Sequence, residues 1–203
     1  MYIFISYNWT CQTNAIEVEK ELSLRDGIKQ EVKTIMDIKE LRLFGRIPDF
    51  MEKIVTSDFA AVVICQDYLK AKNCMKEILK LYKSGDFDKK FLPLVIKGTD
   101  VISNESMIKY IEFWDKQYVD TFKMAAEFKF DEEEPIWKEV KFYKDASNLI
   151  GKIIYHIRES LHLPLIRHEK NSELTNDELN QINEKICELN KVEMKKLYDH
   201  LQV

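Results

Sequence analysis

Apolar and polar residues alternate in blocks along the first two thirds of the chain, and the period of the blocks changes. Residues 2–6 (YIFIS), 59–65 (FAAVVIC) and 91–96 (FLPLVI) are uncharged runs of strand length, rich in β-branched and aromatic side chains. Such runs suit strands buried on both faces. A further strand is expected at residues 32–36, ending in Asp37. Between these runs the period lengthens. Residues 15–24 bring Ile16, Val18, Leu22 and Leu24 onto one helix, which Thr13 or Asn14 can cap and Gly27 can stop. Pro48 suits the first turn of a helix reaching to about residue 57. Residues 70–83 (KAKNCMKEILKLYK) form another helix, with Ile78, Leu79 and Tyr82 able to face a core. Pro93 cannot donate to a ladder, so its strand is expected at a sheet edge or with a bulge.

Downstream, residues 104–114 read as helical, 117–119 as a short fifth strand, and 121–137, with the acidic run DEEE, as a surface insertion. Asp145 is placed to cap an amphipathic helix. Its Leu149, Ile150, Ile153, Ile154, Ile157 and Leu161 recur at three-and-four spacing before Pro164. Strand and helix therefore alternate, which predicts an α/β domain with a mostly parallel sheet and right-handed crossovers. It should span residues 1–163. Residues 164–203 contain a polar linker and a capping-box pair, Thr175 and Glu178. Two short apolar seams follow: Leu179, Ile182, Ile186 and Leu189, then Met194, Leu197 and Leu201. This short helical appendage is too small for a core of its own and must bury those seams against something.

Composition narrows the function classes. The 203 residues carry 31 basic and 35 acidic side chains, a formal net charge of −4, with the two signs interspersed. No basic stripe is present, so nucleic acid is not an expected partner. No run approaches membrane-span length and the N-terminus lacks a signal-peptide layout, which leads us to expect a cytoplasmic protein without membrane contact. Cys11, Cys65, Cys74 and Cys187 show no CxxC spacing, as expected of reduced thiols rather than a disulfide frame or zinc site. All four histidines lie in the last quarter of the chain, so no metal site is expected in the main domain. The five glycines form neither a P-loop nor a GxGxxG turn. The loop after the first strand, YNWTCQTN, contains no acid, which argues against a receiver domain.

Glu77 is the candidate around which the rest gathers. It falls just beyond the carboxyl end of the FAAVVIC strand, where ligands bind in open α/β sheets. A solvated helix-face glutamate is the plain alternative. Three segments in order then resemble the Toll/interleukin-1 receptor (TIR) domain family, in particular its bacterial, NAD-cleaving members. They are FISY at residues 4–7, Asp37 with the loop holding Gly45, Arg46 and Pro48, and Cys74-x-x-Glu77. Phe113 and Trp114 resemble a further family box. The resemblance implies a flavodoxin-like three-layer fold with a mostly parallel five-stranded sheet.

It also implies that Glu77 is the catalytic residue of an NAD⁺ nucleosidase or ADP-ribosyl cyclase. NAD⁺ is then the substrate and no cofactor is required. Tyr7, Trp9, Asp37, Phe44, Gly45, Arg46, Asn73 and Cys74 fall at positions that would contact the nucleotide. Trp9 could stack on a base and Arg46 could approach phosphate, whereas Cys74 reads as a packed residue at a helix start. Asn73 stands where the family has a tryptophan and Ala71 where it has a serine, which leaves the product open between ADP-ribose and a cyclic messenger. The resemblance further implies self-association through TIR–TIR contacts and, for a messenger-making antiphage enzyme, a downstream effector. The alternative is a non-catalytic module that signals by self-association alone.

Overall fold

The computed structural model describes residues 1–23, 33–37, 47–128, 130–131 and 134–160. Strand β1 (Tyr2–Tyr7) leads through a 3-10 turn (Trp9–Cys11) into helix α1 (Gln12–Ser23). Strand β2 (Lys33–Ile35), helix α2 (Ile47–Thr56) and strand β3 (Phe59–Ile64) follow. A second 3-10 turn (Tyr68–Lys70) opens onto α3 (Lys72–Lys83), then the short α4 (Phe87–Lys90) and strand β4 (Phe91–Val95). Two long helices, α5 (Asn104–Glu127) and α6 (Pro135–Glu159), complete the described chain.

The strands lie in the order β2-β1-β3-β4 and every pairing is parallel. Interior strands β1 and β3 coincide with two of the three uncharged runs, and all six residues of β3 are buried. Pro93 sits on β4, beside β3 alone, at an edge where a missing donor costs least. From β1 the chain moves one way to β2, then crosses back over β1 to reach β3 and continues to β4. Right-handed crossovers therefore put α1 on one face and α2 and α3 on the other. The packing of α2 against α3 agrees with this.

Three sequence expectations are corrected. Asn8, not Thr13 or Asn14, caps the first helical segment: its side chain accepts from Thr10 N at 2.9 Å and starts the turn that runs into α1. Residues 117–119 are not a strand but part of α5, so the sheet has four strands among the described residues rather than five. Residues 121–127 continue the same helix, and α6 begins at Pro135 rather than at Asp145. Asp145 lies inside α6 and pairs with Lys83 at 2.5 Å. For the two corrections at α5 and α6 the physical reason is shared. Helices α5 and α6 pack along their length, and that tertiary contact overrides the local β preference of Tyr118 and Val119. The expected helix stop at Gly27, the loop residues Phe44, Gly45 and Arg46, and the C-terminal appendage lie outside the described residues.

Trp114 anchors this hairpin to the second 3-10 turn. It is fully buried among Phe113, Phe142 and Tyr143, and its indole N–H donates to Leu69 O at 2.8 Å. Trp114→Ala should cost about 3–5 kcal/mol, read as a lowered urea midpoint. Trp114→Phe should cost about 1–3 kcal/mol for the orphaned Leu69 carbonyl. A midpoint unchanged in both variants would remove Trp114 from the core.

Candidate active site

The β2-β1-β3-β4 order reverses between β1 and β3, because the chain leaves these strands in opposite directions. The connections that follow their carboxyl ends part to opposite faces and open a crevice, the usual ligand position in such sheets. A cleft of about 510 Å³ lies there, within the size range of small-molecule sites. Tyr7, Asn8 and Trp9 line it from the end of β1, Asp37 from the end of β2, and Phe50 and Met51 from α2. Ala71, Lys72, Asn73, Cys74 and Glu77 line it from the start of α3.

Glu77 occupies the second turn of α3, on the side turned toward β1. One carboxylate oxygen accepts from Ser6 Oγ at 2.5 Å. Ser6 Oγ in turn lies 2.5 Å from Tyr68 Oη. Ser6 has one proton and gives it to Glu77, so Tyr68 must be the donor to Ser6. Burial holds the Tyr68 phenol well above its ordinary titration range, which keeps that donor in place. The result is a directed chain, Tyr68 to Ser6 to Glu77, in which two buried hydroxyls hold one carboxylate.

Desolvation raises the Glu77 titration from the ordinary 4.5 to about 7, Ser6 lowers it, and the neighbouring Asp37 carboxylate adds a further upward push. Near neutral pH the group is therefore poised between its two charge states, a property that recurs at catalytic carboxylates.

A second network fixes the opposite wall. Tyr7 Oη donates to one oxygen of Asp37, and Trp9 Nε1 donates to the other at 3.1 Å. Trp9 is nonetheless 78% exposed, so its indole is oriented at the rim while remaining available to a planar group. Cys74 lies beneath this wall, with its thiol donating to Tyr7 O at 3.5 Å. Burial pushes that thiol upward, so it stays protonated and is a poor nucleophile. The N-terminal end of α3 has no side-chain cap, and its residues 71–74 line the cleft, where a helix start favours an anion.

Of the residues singled out from sequence, Tyr7, Trp9, Asp37, Asn73, Cys74 and Glu77 meet in this one cleft. Sequence reasoning missed Ser6, Tyr68 and Lys72. A lone hydroxyl inside the apolar run YIFIS was a usable signal for Ser6, since buried polar groups require partners. Tyr68 and Lys72 gave no such signal. Lys72 lines the cleft while its ammonium pairs with Glu139 of α6, a partner 67 positions away.

The family model for the TIR domain matches residues 3–129. The chain belongs to the TIR domain family. Among solved structures, it is similar to the TIR domains of the activated Roq1 resistosome, which directly recognizes the pathogen effector XopQ. Identity is 17% and the TM-score 0.46, over 91% of this chain and 98% of that one. A comparison with curated proteins returns no match. Within this TIR domain, no helix among the described residues is long and apolar enough to cross a membrane.

The raised Glu77 titration has a stability consequence with a definite sign. The folded state binds the proton more tightly than the unfolded chain. The associated stabilisation is complete below about pH 4.5 and is lost as pH rises through about 7. Above that, the wild type carries a part-buried charge at a cost of up to about 3 kcal/mol. Glu77→Gln should therefore raise the thermal midpoint at pH 8 and leave it nearly unchanged at pH 4.5. Equal midpoints at pH 8 would mean that Glu77 is solvated.

Proposed function

We propose that this TIR domain cleaves the bond between nicotinamide and ribose in NAD⁺, with Glu77 as the catalytic carboxylate. The observation that carries the reading is the Glu77 carboxylate itself, held by Ser6 inside the cleft at the switch point of the sheet. Nicotinamide departs as a neutral base from a cationic ring, so no general acid is needed to expel it. The C1′–N bond breaks with its electron pair going to nicotinamide, and positive charge develops at C1′. A preorganised carboxylate stabilises that charge most where water is scarce.

Substrate positioning follows from the lining. The exposed Trp9 ring suits a stacked base, and the uncapped start of α3 suits a phosphate oxygen. Asp37 holds Tyr7 and Trp9 in place, and the family resemblance would add Phe44, Gly45 and Arg46 as nucleotide contacts. Water adding at C1′, with loss of a proton, gives ADP-ribose; attack by another group of the same nucleotide gives a cyclic messenger. Asn73 leaves the ribose side without the family tryptophan. TIR enzymes of this kind suit bacterial antiphage defence, acting as self-associated assemblies whose nucleotide product a downstream effector reads.

The reading is tested by NAD⁺ turnover with chromatographic separation of products, at low and high protein concentration. Glu77→Gln should lower kcat by about 10²–10³-fold. Trp9→Ala should raise KM by about 5–150-fold, the equivalent of about 1–3 kcal/mol of stacking. Because the ionised carboxylate is the active form, kcat/KM should rise with pH through about 7. Ser6→Ala should move that limb to higher pH by removing the hydrogen bond that favours the charge. No turnover by the wild type, even when concentrated, would instead favour a non-catalytic module that signals by self-association.

A further inference from the structure

One basic side chain lines the cleft, and the chemistry at Glu77 gives it no role. Among the described lining residues Lys72 is the only cation, while Asp37 and Glu77 are both acidic. A nucleotide diphosphate would bring more negative charge into the same space, so it must sit where a cation or a helix start offsets it. Lys72 is the first residue of α3, a position where the helix dipole disfavours a cation and would favour an acid. The first turn nevertheless contains no acid, and no side chain caps it. Ammonium and helix start therefore add their positive potentials at the same end of α3.

A carboxylate from another helix takes up part of that potential. Lys72 Nζ donates to Glu139 Oε2 of α6 and lies 5.5 Å from the centre of the Tyr143 ring. An ammonium has three N–H donors, so one bond to Glu139 leaves donors for a ligand. The two side chains are 37% and 36% exposed, and ion pairs so open to water are weak and exchange readily. Glu139 is not among the residues lining the cleft, whereas Lys72 is. Rotation about the flexible lysine stem is enough to carry the ammonium from one side to the other.

We propose that Lys72 binds the diphosphate of the nucleotide and that Glu139 is the counter-ion it exchanges for it. The inference rests on the reading of this cleft as the NAD⁺ site and adds to it the residue that recognises phosphate. Lys72 precedes Glu77 by five positions on α3, about 7.5 Å along the helix axis. A ribose puts a separation of that order between C1′ and its 5′-phosphate. A substrate whose C1′ faces Glu77 thus brings its diphosphate to the start of α3. Lys72 selects nucleotides over nucleosides, and Glu139 opposes their binding because its bond to the ammonium must loosen first.

The test is calorimetric titration of the full chain with ADP-ribose, which carries the diphosphate but lacks the scissile bond, so affinity is read without turnover. Lys72→Ala should weaken binding by about 10–100-fold, the loss expected of a hydrogen bond to a charged group. Glu139→Gln should strengthen it by about 2–5-fold, and the double variant should bind like Lys72→Ala. Adenosine, which has no phosphate, should bind the wild type and Lys72→Ala alike, and Lys72→Arg should keep most of the affinity for ADP-ribose. Added salt should weaken ADP-ribose binding more in the wild type than in Lys72→Ala. No ADP-ribose binding by the wild type, equal affinity in Lys72→Ala, an equal loss of adenosine, or weaker binding in Glu139→Gln would each overturn the proposal. NAD⁺ turnover with a Lys72→Ala affinity unchanged would sink this inference and leave cleavage standing. Lys72-dependent ADP-ribose binding without turnover would do the reverse.

Discussion

The hydrogen bond from Ser6 on β1 to Glu77 on α3 joins the two halves of the site across 71 positions of sequence. Without it a glutamate on α3 would be one more charge on an amphipathic helix. With it, the carboxylate is turned inward, partly stripped of water and given a defined partner. The bond exists because β1 lies in the sheet interior, where a serine hydroxyl has no water to satisfy it and must find protein groups. Tyr68 supplies one and Glu77 the other. The helix–sheet packing that buries Ile78 and Leu79 fixes the distance over which the bond can form.

Topology places this bond where it is useful. The chain leaves the adjacent strands β1 and β3 in opposite directions, which opens a crevice that no other pair among the described strands offers. The loops around it are held by side chains rather than by regular structure. Asn8 caps the turn after β1, and Asp37 receives both Tyr7 and Trp9. The cleft therefore joins a rigid floor, made of strand ends and α3, to a rim whose exposed indole is nonetheless oriented. Opposite demands are met within a few residues: burial tunes Glu77, while exposure leaves Trp9 free to meet a ligand.

The helical hairpin of α5 and α6 illustrates the limit of local reading. Residues 117–119 have the β-branched and aromatic content of a short strand, and 121–137 look like a polar insertion, yet both expectations fail over α5. The deciding term is the apolar seam between two helices, built from residues distant in sequence and anchored by Trp114 beneath the second 3-10 turn. Propensity of a few tenths of a kcal/mol per residue cannot compete with that packing.

By itself the sequence determined the class of fold, the strands β1, β3 and β4, the edge position of Pro93 and the apolar stripe of α6. These follow from burial patterns that repeat locally, so they are legible without knowing what packs on what. It also marked Glu77, Tyr7, Trp9, Asp37, Asn73 and Cys74, through motifs whose spacing reflects where strands end. Only the tertiary structure decided that they converge and that Ser6 and Tyr68 hold the carboxylate. Each of those facts depends on the register of β1 against β3 and on which face α3 covers. Such distances are set by the simultaneous packing of several elements, and no local pattern of residues encodes them.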